Sequence, residues 1–293
     1  MRATLIVNPH SGRGAAARVA GTVTQTLREA VPELEATVTS DAAGTSRLAA
    51  LAVQRGDAVV AVLGGDGTAH LAAQAVAGTD TALAVLPSGT GNDLAATLGI
   101  PADPADAARH VAAALRNGQR RRIDLGRVMG GACFTTVLCT GFDAAVNARA
   151  NAMRWPAGPR RYDLAVLAEL AALTPRQVRV SAGDTEMVLA ATLVAVGNGP
   201  RYGGGLRICP DAELDDGMLD VIVIAAVSRR RLVRVFPRLR AGGHVDEPEV
   251  TLVRASTVRI EGDPGWPVYA DGEPQGILPV TVQCQPGALT VVA

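Results

Sequence analysis

Three glycine-rich turns constrain this chain more than any other feature. The first, Asn8-Pro9-His10-Ser11-Gly12-Arg13-Gly14, follows the apolar run Ala3–Val7. The second, Gly64-Gly65-Asp66-Gly67-Thr68, follows Ala58–Leu63, and the third, Pro87-Ser88-Gly89-Thr90-Gly91-Asn92-Asp93, follows Ala82–Leu86. The apolar runs are continuous rather than alternating, the pattern of strands covered on both faces in a parallel sheet. Helical spacing over Ala15–Ala30, Thr45–Gln54, Gly67–Ala77 and Gly91–Leu98 alternates with them, and Leu34–Val38 reads as a further strand. This order predicts an α/β, doubly wound domain. Ligands of such sheets bind beyond the carboxyl ends of the strands. Glycine there lets backbone N–H groups approach a phosphate, and the helix that follows adds its positive dipole end. One such turn is only what a tight reversal needs. Three converging on one sheet edge point to a phosphate-bearing ligand.

The texture changes after Ile100. Pro101–Arg116 reads as a last helix and Gln119–Val128 as a strand. Strands then dominate: Cys133–Thr140, Val178–Ser181, Met187–Val196, Leu219–Ile224, Val250–Val253, Thr257–Glu261, Gly276–Gln283 and Ala288–Val292. Helical stretches interrupt them near Asp143–Met153, Tyr162–Leu173 and Ser228–Leu239. A β-rich, mostly antiparallel second domain, sandwich- or barrel-like, is expected over residues 126–293, after the α/β domain over 1–125.

Composition excludes several classes. The 293 residues are 48% hydrophobic and 19% charged, enough for a packed core. Aromatics are 3%, which disfavours a base-stacking reader of single strands. Arg and the acidic residues number 28 each, which argues against a protein whose whole surface is built for polyanions. All the basic residues are Arg, so a Walker A lysine, a protein-kinase strand lysine and a Schiff-base lysine are all excluded. Cys133, Cys139, Cys209 and Cys284 show no C-x-x-C spacing and read as reduced core thiols. The opening Met1–Pro9 is too soon broken for a signal peptide, and the apolar stretches Val188–Val196 and Val221–Val227 fall short of a membrane span. A cytoplasmic protein is expected, touching the inner membrane surface only peripherally.

Asp66 and Asp93 stand inside the phosphate turns. A carboxylate beside a phosphate cradle repels it unless a cation bridges them, which suggests Mg²⁺ carried by a nucleotide. The alternative for both is helix N-capping.

These residues resemble the diacylglycerol kinase-like lipid kinases, related to sphingosine kinases and more distantly to NAD kinases. G-G-D-G-T at Gly64–Thr68 is common to all of them. P-x-G-T-x-N-D at Pro87–Asp93 and N-P-x-S-G-x-G at Asn8–Gly14 are more specific to the lipid kinases. Gly197-Asn198-Gly199 with Gly203-Gly204-Gly205 looks like the family's G-N-x-x-x-x-G-G-G. Pro210–Asp220 looks like its P-x-A-x-x-D-D-G-x-L-D, and Asp271-Gly272-Glu273 like its D-G-E. The matches run in order along nearly the whole chain.

The resemblance implies ATP as donor, a lipid hydroxyl as acceptor and a site in a cleft between the two domains. It implies nucleotide contacts from Asn8, Ser11, Gly12 and Gly14, from Ser40, from Gly64, Gly65, Asp66, Gly67, Thr68 and His70, and from Gly89, Thr90 and Asn92. It implies Glu273 as the base, with Asp66 at the nucleotide metal and Asp93 and Asp124 in supporting catalytic roles. It also implies a structural Mg²⁺ on the Asp216 carboxylate and the backbone carbonyls of Glu213 and Met218. One departure stands out: Ala69-His70-Leu71 follows G-G-D-G-T where the family has x-N-E. His70 can replace the missing amide as a donor, or nucleotide affinity has changed. Diacylglycerol is the first choice of acceptor. A sphingoid base, ceramide, phosphatidylglycerol and, more weakly, NAD are the rivals, and a non-catalytic nucleotide- or lipid-binding regulator is the alternative from another class. Read without the resemblance, the Asp215-Asp216-Gly217 turn is as well explained by a plain β-turn, and Asp271-Gly272 by a hairpin.

Ser228–Arg240 carries Leu232, Val235, Phe236 and Leu239 on one helical face and Arg230, Arg234 and Arg238 in a stripe, with no acid in the span. Such a helix either lies on an anionic lipid surface or packs on its own domain with a solvated basic face.

Overall fold

The apolar runs become the strands of a parallel sheet in the N-terminal part of the chain. The structure, a computed structural model, describes residues 1–153, 155 and 160–293. Contacts divide the chain into two units, Met1–Leu125 with Pro286–Ala293, and Gly126–Gln285. In the first unit the elements are β1 (Arg2–Val7), α1 (Ala15–Ala30), β2 (Glu33–Val38), α2 (Ala42–Gln54), β3 (Val59–Gly64), α3 (Asp66–Val76), β4 (Ala82–Pro87), α4 (Asp93–Thr97), α5 (Pro104–Arg116) and the start of β5 (Arg121–Val128). The strands run parallel in the order β4-β3-β1-β2. Every residue of β3 and β4 is buried, because α1 with α5 and α2 with α3 form the helical layers that cover the sheet. Val7 pairs with Val38 and with Leu63, and Leu63 pairs with Leu86. Their carboxyl ends are therefore level, and the three glycine turns leave from one edge. Helix α2 starts three residues earlier than its apolar spacing predicts, because the Asp41 side chain accepts from the Gly44 N–H at 2.7 Å and caps it.

The opposite edge of this sheet serves stability. The Asp57 carboxylate is fully buried and accepts from Thr4 Oγ1 at 2.5 Å, Arg2 Nε at 2.6 Å and Arg55 Nη2 at 2.9 Å. Burial raises its pKa, but the hydrogen bonds from Thr4, Arg55 and Arg2 outweigh burial and hold it below the ordinary carboxylate value. Its contribution is therefore present above the unfolded carboxylate's titration and is lost as pH falls through the lowered value.

The second unit is antiparallel. Its elements are β6 (Cys133–Phe134), β7 (Val137–Gly141), α6 (Phe142–Ala152), α7 (Arg160–Ala171), β8 (Arg176–Ala182), β9 (Thr185–Gly197), β10 (Leu219–Ala225), α8 (Arg229–Val235), β11 (Val250–Ala255), β12 (Thr257–Gly262), β13 (Pro267–Ala270), β14 (Glu273–Ile277) and the first half of β15 (Val280–Val291). Strand β9 pairs with β8 along its first half and with β7 and β10 along its second. Val194, Val196, Val221 and Val223 face one apolar core, which β8, β12 and β15 share. Leu193, Ala195, Ile222 and Ile224 face a second core, under α6, α7 and α8. Burial on both faces explains why these strands read as continuous apolar runs. The result is a β-rich, sandwich-like unit.

Three expectations change. The strand expected over Cys133–Thr140 is broken at Thr135-Thr136 into β6 and β7. The helix expected over Ser228–Leu239 ends at Val235 and continues as a 3-10 turn over Phe236–Arg240, where Pro237 has no N–H to continue the helix. The last eight residues, expected in the second domain, pack with the first unit. Val291 pairs with Leu83, Gly78 N–H donates to the Ala288 carbonyl at 2.8 Å, and Asp124 Oδ1 accepts from Gly287 N–H at 2.7 Å.

Asp57→Asn is expected to lower the unfolding free energy at neutral pH by about 2 kcal/mol, discounted for its two half-exposed arginine partners. Urea unfolding at pH 7 and near pH 3 checks this: the gap from the parent shrinks in acid. An unchanged gap rules out the linkage.

Candidate active site

The three glycine turns meet in space, and glycine is what allows it. Gly12 has φ +58°, and a Cβ there would run into the Ser88 carbonyl oxygen of the third turn. A Cβ on Gly89 would lie 2.6 Å from Gly65 Cα, so the second and third turns touch backbone to backbone. Asn8 Nδ2 donates to Thr68 Oγ1 at 3.0 Å and ties the first turn to the second. Within the third turn, Asn92 exchanges two hydrogen bonds with Gly89: Oδ1 accepts from its N–H at 2.9 Å and Nδ2 donates to its carbonyl at 3.0 Å. Asn92 itself is left-handed at φ 59°. At the first turn of α3, a Cβ on Gly67 would meet no heavy atom within 4 Å. This open backbone at a helix start fits a nucleotide phosphate.

Both carboxylate oxygens of Asp66 are engaged. Its Oδ2 accepts from the Asn92 N–H at 2.6 Å and its Oδ1 from the Asp93 N–H at 2.7 Å. It caps α4 from outside that helix and clamps the second turn to the third. Capping, one of the two readings open from sequence, is thus the contact observed, though of a neighbouring helix. Asp93 is buried in the first turn of α4, and Thr68 and His70 are buried in α3. Thr90 is exposed, and so is Ser40, whose hydroxyl donates to Asp41 Oδ2 at 3.0 Å. Ser40 follows β2 at the same carboxyl edge as the turns. Asp124 is buried in β5, where it holds the returning C-terminal strand through Gly287.

In the second unit, Asp271 carries a clamp of the same kind. Its Oδ2 accepts from Thr135 N–H at 2.8 Å and Thr135 Oγ1 at 3.0 Å, and its Oδ1 from Thr136 N–H at 2.9 Å and Thr136 Oγ1 at 2.6 Å. From the other side, the Asn198 and Gly199 N–H groups donate to the Thr136 carbonyl at 2.8 and 2.9 Å. Asn198 Nδ2 also donates to the Thr135 carbonyl at 3.1 Å. The G-N-G and D-G-E motifs therefore meet on one threonine pair. Asp271 and Gly272 both have positive φ, 50° and 83°, as a two-residue hairpin turn requires, and Ala270 pairs with Glu273 across it. Glu273 emerges from this rigid turn exposed, with no hydrogen-bond or ion-pair partner among the described residues. Thr135 and Thr136 escaped sequence reasoning; two hydroxyls inside an apolar strand run were the available signal.

The turn expected to seat Mg²⁺ is acidic and carries one cation. Asp216 Oδ1 accepts from Met218 N–H at 2.9 Å, and Asp216 Oδ2 pairs with Arg254 Nη2. Asp220 is buried, and its Oδ1 has no hydrogen-bond partner. Burial pushes the Asp220 carboxyl up to about 6; Arg254 pulls it back, while Asp216, Asp211 and Glu213 add to the rise. An orphaned carboxylate oxygen among mutually repelling acids fits a hard cation. A cluster of three or more His, Cys, Asp or Glu side chains placed to hold a metal is absent among the described residues.

Comparison with known proteins fits this geometry. Residues 2–128 match the diacylglycerol kinase catalytic domain, and residues 136–293 match the YegS C-terminal NAD kinase beta sandwich-like domain. The chain belongs to this lipid kinase family and is an ATP-dependent phosphotransferase. It is 42% identical over 296 residues to a diacylglycerol kinase of Mycobacterium tuberculosis, covering 99% of this chain and 94% of the relative. It is 32% identical over 298 residues to a "Probable lipid kinase YegS-like" protein of Pseudomonas aeruginosa, covering 99% and 88% of the two chains. The crystal structure of a diacylglycerol kinase from Bacillus anthracis str. Sterne shares the fold, with a TM-score of 0.77 at 22% identity over 99% of this chain and 96% of that one. Among the described residues no helix is long and apolar enough to cross a membrane.

Asp66→Asn is expected to keep the fold and lose activity by at least ~10²-fold, because two charge-assisted hydrogen bonds worth about 1.5–3 kcal/mol each hold the turns together. Circular dichroism with a phosphotransfer assay checks it. A variant working at the parent rate would remove Asp66 from the site.

Proposed function

We propose that this lipid kinase phosphorylates diacylglycerol, giving phosphatidic acid. The observation that carries this choice is the 42% identity, along 99% of the chain, to a relative named as a diacylglycerol kinase. The nucleotide lies on the turns at Asn8–Gly14, Gly64–Thr68 and Gly89–Asn92, with Ser40 and His70 beside them. The open start of α3, with its helix dipole, supplies the positive field that a lysine supplies in other kinases, and this chain has no lysine. Bound ATP supplies the phosphoryl group. Glu273 accepts the proton of the lipid hydroxyl as the hydroxyl oxygen bonds to the γ-phosphorus, while the bond from that phosphorus to the bridging oxygen breaks and ADP leaves with its electron pair. Its exposure and lack of a partner support this role. Asp93 and Asp124 support the site from buried positions. A Mg²⁺ in the second unit would be held by the Asp216 carboxylate with the carbonyls of Glu213 and Met218, where it would add a fixed positive charge to the acidic turn.

Glu273→Gln keeps size and polarity but removes basicity. The variant is expected to lose ~10²–10⁴-fold in kcat with ATP affinity unchanged. Labelled ATP over a panel of diacylglycerol, ceramide, sphingoid base and phosphatidylglycerol in mixed micelles reads both claims at once. Label appearing in another lipid, with diacylglycerol inert, overturns the acceptor; a Gln variant at the parent rate moves the base elsewhere.

A peripheral membrane contact through α8 and its 3-10 extension belongs to the same reading. The structure redraws the basic stripe read from sequence. Arg231 is held by Glu247 at 2.5 Å and Glu249 at 2.8 Å, and Arg238 also pairs with Glu247. Arg229, Arg230, Arg234 and Arg240 are exposed and have no acidic partner among the described residues, and exposed Val233 lies among them. This outer face suits anionic lipid headgroups. Reversing Arg229, Arg230 and Arg234 to Glu is expected to weaken binding to anionic vesicles, more so at low salt. Sedimentation with vesicles checks it, and unchanged binding assigns the face to solvent.

A further inference from the structure

We propose that Arg254 is a built-in competitor for the cation seat at Asp216: its guanidinium fills the seat, and a divalent cation binds there only by displacing it. This rests on the reading that Asp216 anchors a cation, and the experiment below separates the two.

The placement follows from strand register. In the antiparallel pair β10–β11, Asp220 stands directly opposite Arg254. Cross-strand partners lie on the same face of a sheet, so the guanidinium is delivered to the acidic turn by the ladder itself. Arg254 Nη2 donates to Asp216 Oδ2, and Arg254 Nε lies 3.6 Å from Asp220 Oδ2. Asp216 Oδ1 is already taken by the Met218 N–H. Both Asp216 oxygens are thus engaged, one by fixed backbone and one by a long side chain that is 44% exposed. The backbone contact is built into the turn, whereas the arginine can swing into solvent.

A hard divalent cation takes carboxylate oxygens at about 2.0–2.6 Å. A guanidinium bonded to the same carboxylate would then sit close to a second positive charge, and like charges repel. The cation and Arg254 therefore exclude each other. Asp220 Oδ1 gives the arrangement its direction. It is buried with no partner while Arg254 lies against Oδ2, so the guanidinium satisfies the acidic turn only in part. The device lets the turn fold without metal and sets a threshold for divalent occupancy. An arginine whose job is only to steady Asp216 as a ligand would predict the opposite effect on metal affinity.

The test is Mn²⁺ binding to the full chain without nucleotide, read from the free-Mn²⁺ paramagnetic resonance signal, with Mg²⁺ as competitor. Arg254→Gln is expected to bind Mn²⁺ more tightly by an order of magnitude or so, as removal of one adjacent like charge implies. Arg254→Lys keeps the charge and is expected to stay near the parent. Metal-free Arg254→Gln is expected to melt below the parent and to gain more from Mg²⁺. Equal or weaker Mn²⁺ binding by Arg254→Gln, or no binding by parent and variant alike, overturns the proposal. If Arg254→Gln fails to fold, tighter Mn²⁺ binding by Arg254→Met, which keeps the apolar stem, supports the competition and unchanged binding overturns it. Asp216→Asn, made in the Arg254→Gln chain, is expected to abolish the binding gained on removing Arg254. If Asp216→Asn retains it, the seat lies elsewhere and the underlying assignment of Asp216 fails, whatever Arg254 does.

Discussion

The backbone contact between Gly65 and Gly89, locked by the Asp66 carboxylate, is the constraint on which the edge carrying the three glycine turns depends. Strand register brings the carboxyl ends of β1, β3 and β4 level, but register alone leaves the turns as separate loops. The Asp66 bonds to the Asn92 and Asp93 N–H groups turn two loops into one surface. They also consume two N–H donors at the start of α4 that would otherwise need water or a ligand. The dipole open to a ligand is therefore that of α3, an 11-residue helix, rather than that of the five-residue α4.

The second unit repeats the device with different parts. Asp271 collects four hydrogen bonds from Thr135 and Thr136, while Asn198 holds the same pair through a carbonyl. Breaking the strand at Thr135-Thr136 frees the backbone groups that both motifs use. The interruption between β6 and β7 is thus the means by which G-N-G and D-G-E, more than 70 residues apart, are joined.

The glycine turns and the parallel sheet were legible in the sequence because their causes are local: continuous apolar runs, and glycine where backbone must approach backbone. What was not legible is long-range. The Asp66 partners lie 26 and 27 residues away, beyond α3 and β4, so nothing in the residues flanking Asp66 announces them. Pairing of Val291 with Leu83 returns the last residues to the first unit, and no composition shift near residue 286 marks it. Arg254 reaches Asp216 only through the register of β10 on β11, which depends on the whole antiparallel order.

The acids of this chain separate by what their oxygens already accept. Asp66 takes two backbone N–H groups, Asp271 takes four donors, Asp124 takes Gly287, and Asp216 takes Met218 and Arg254. Each lone pair committed to a fixed donor is one fewer for a proton or a substrate hydroxyl, and moving such a carboxylate would break the geometry it holds. A base needs the opposite circumstances: an oxygen with open lone pairs on a backbone that does not move. Glu273, the base proposed above, meets both among the described residues. Its own carboxylate is unpartnered among the described residues, while its turn is fixed one step away by Asp271, so the neighbour's saturation would hold such a base in place without occupying its oxygens.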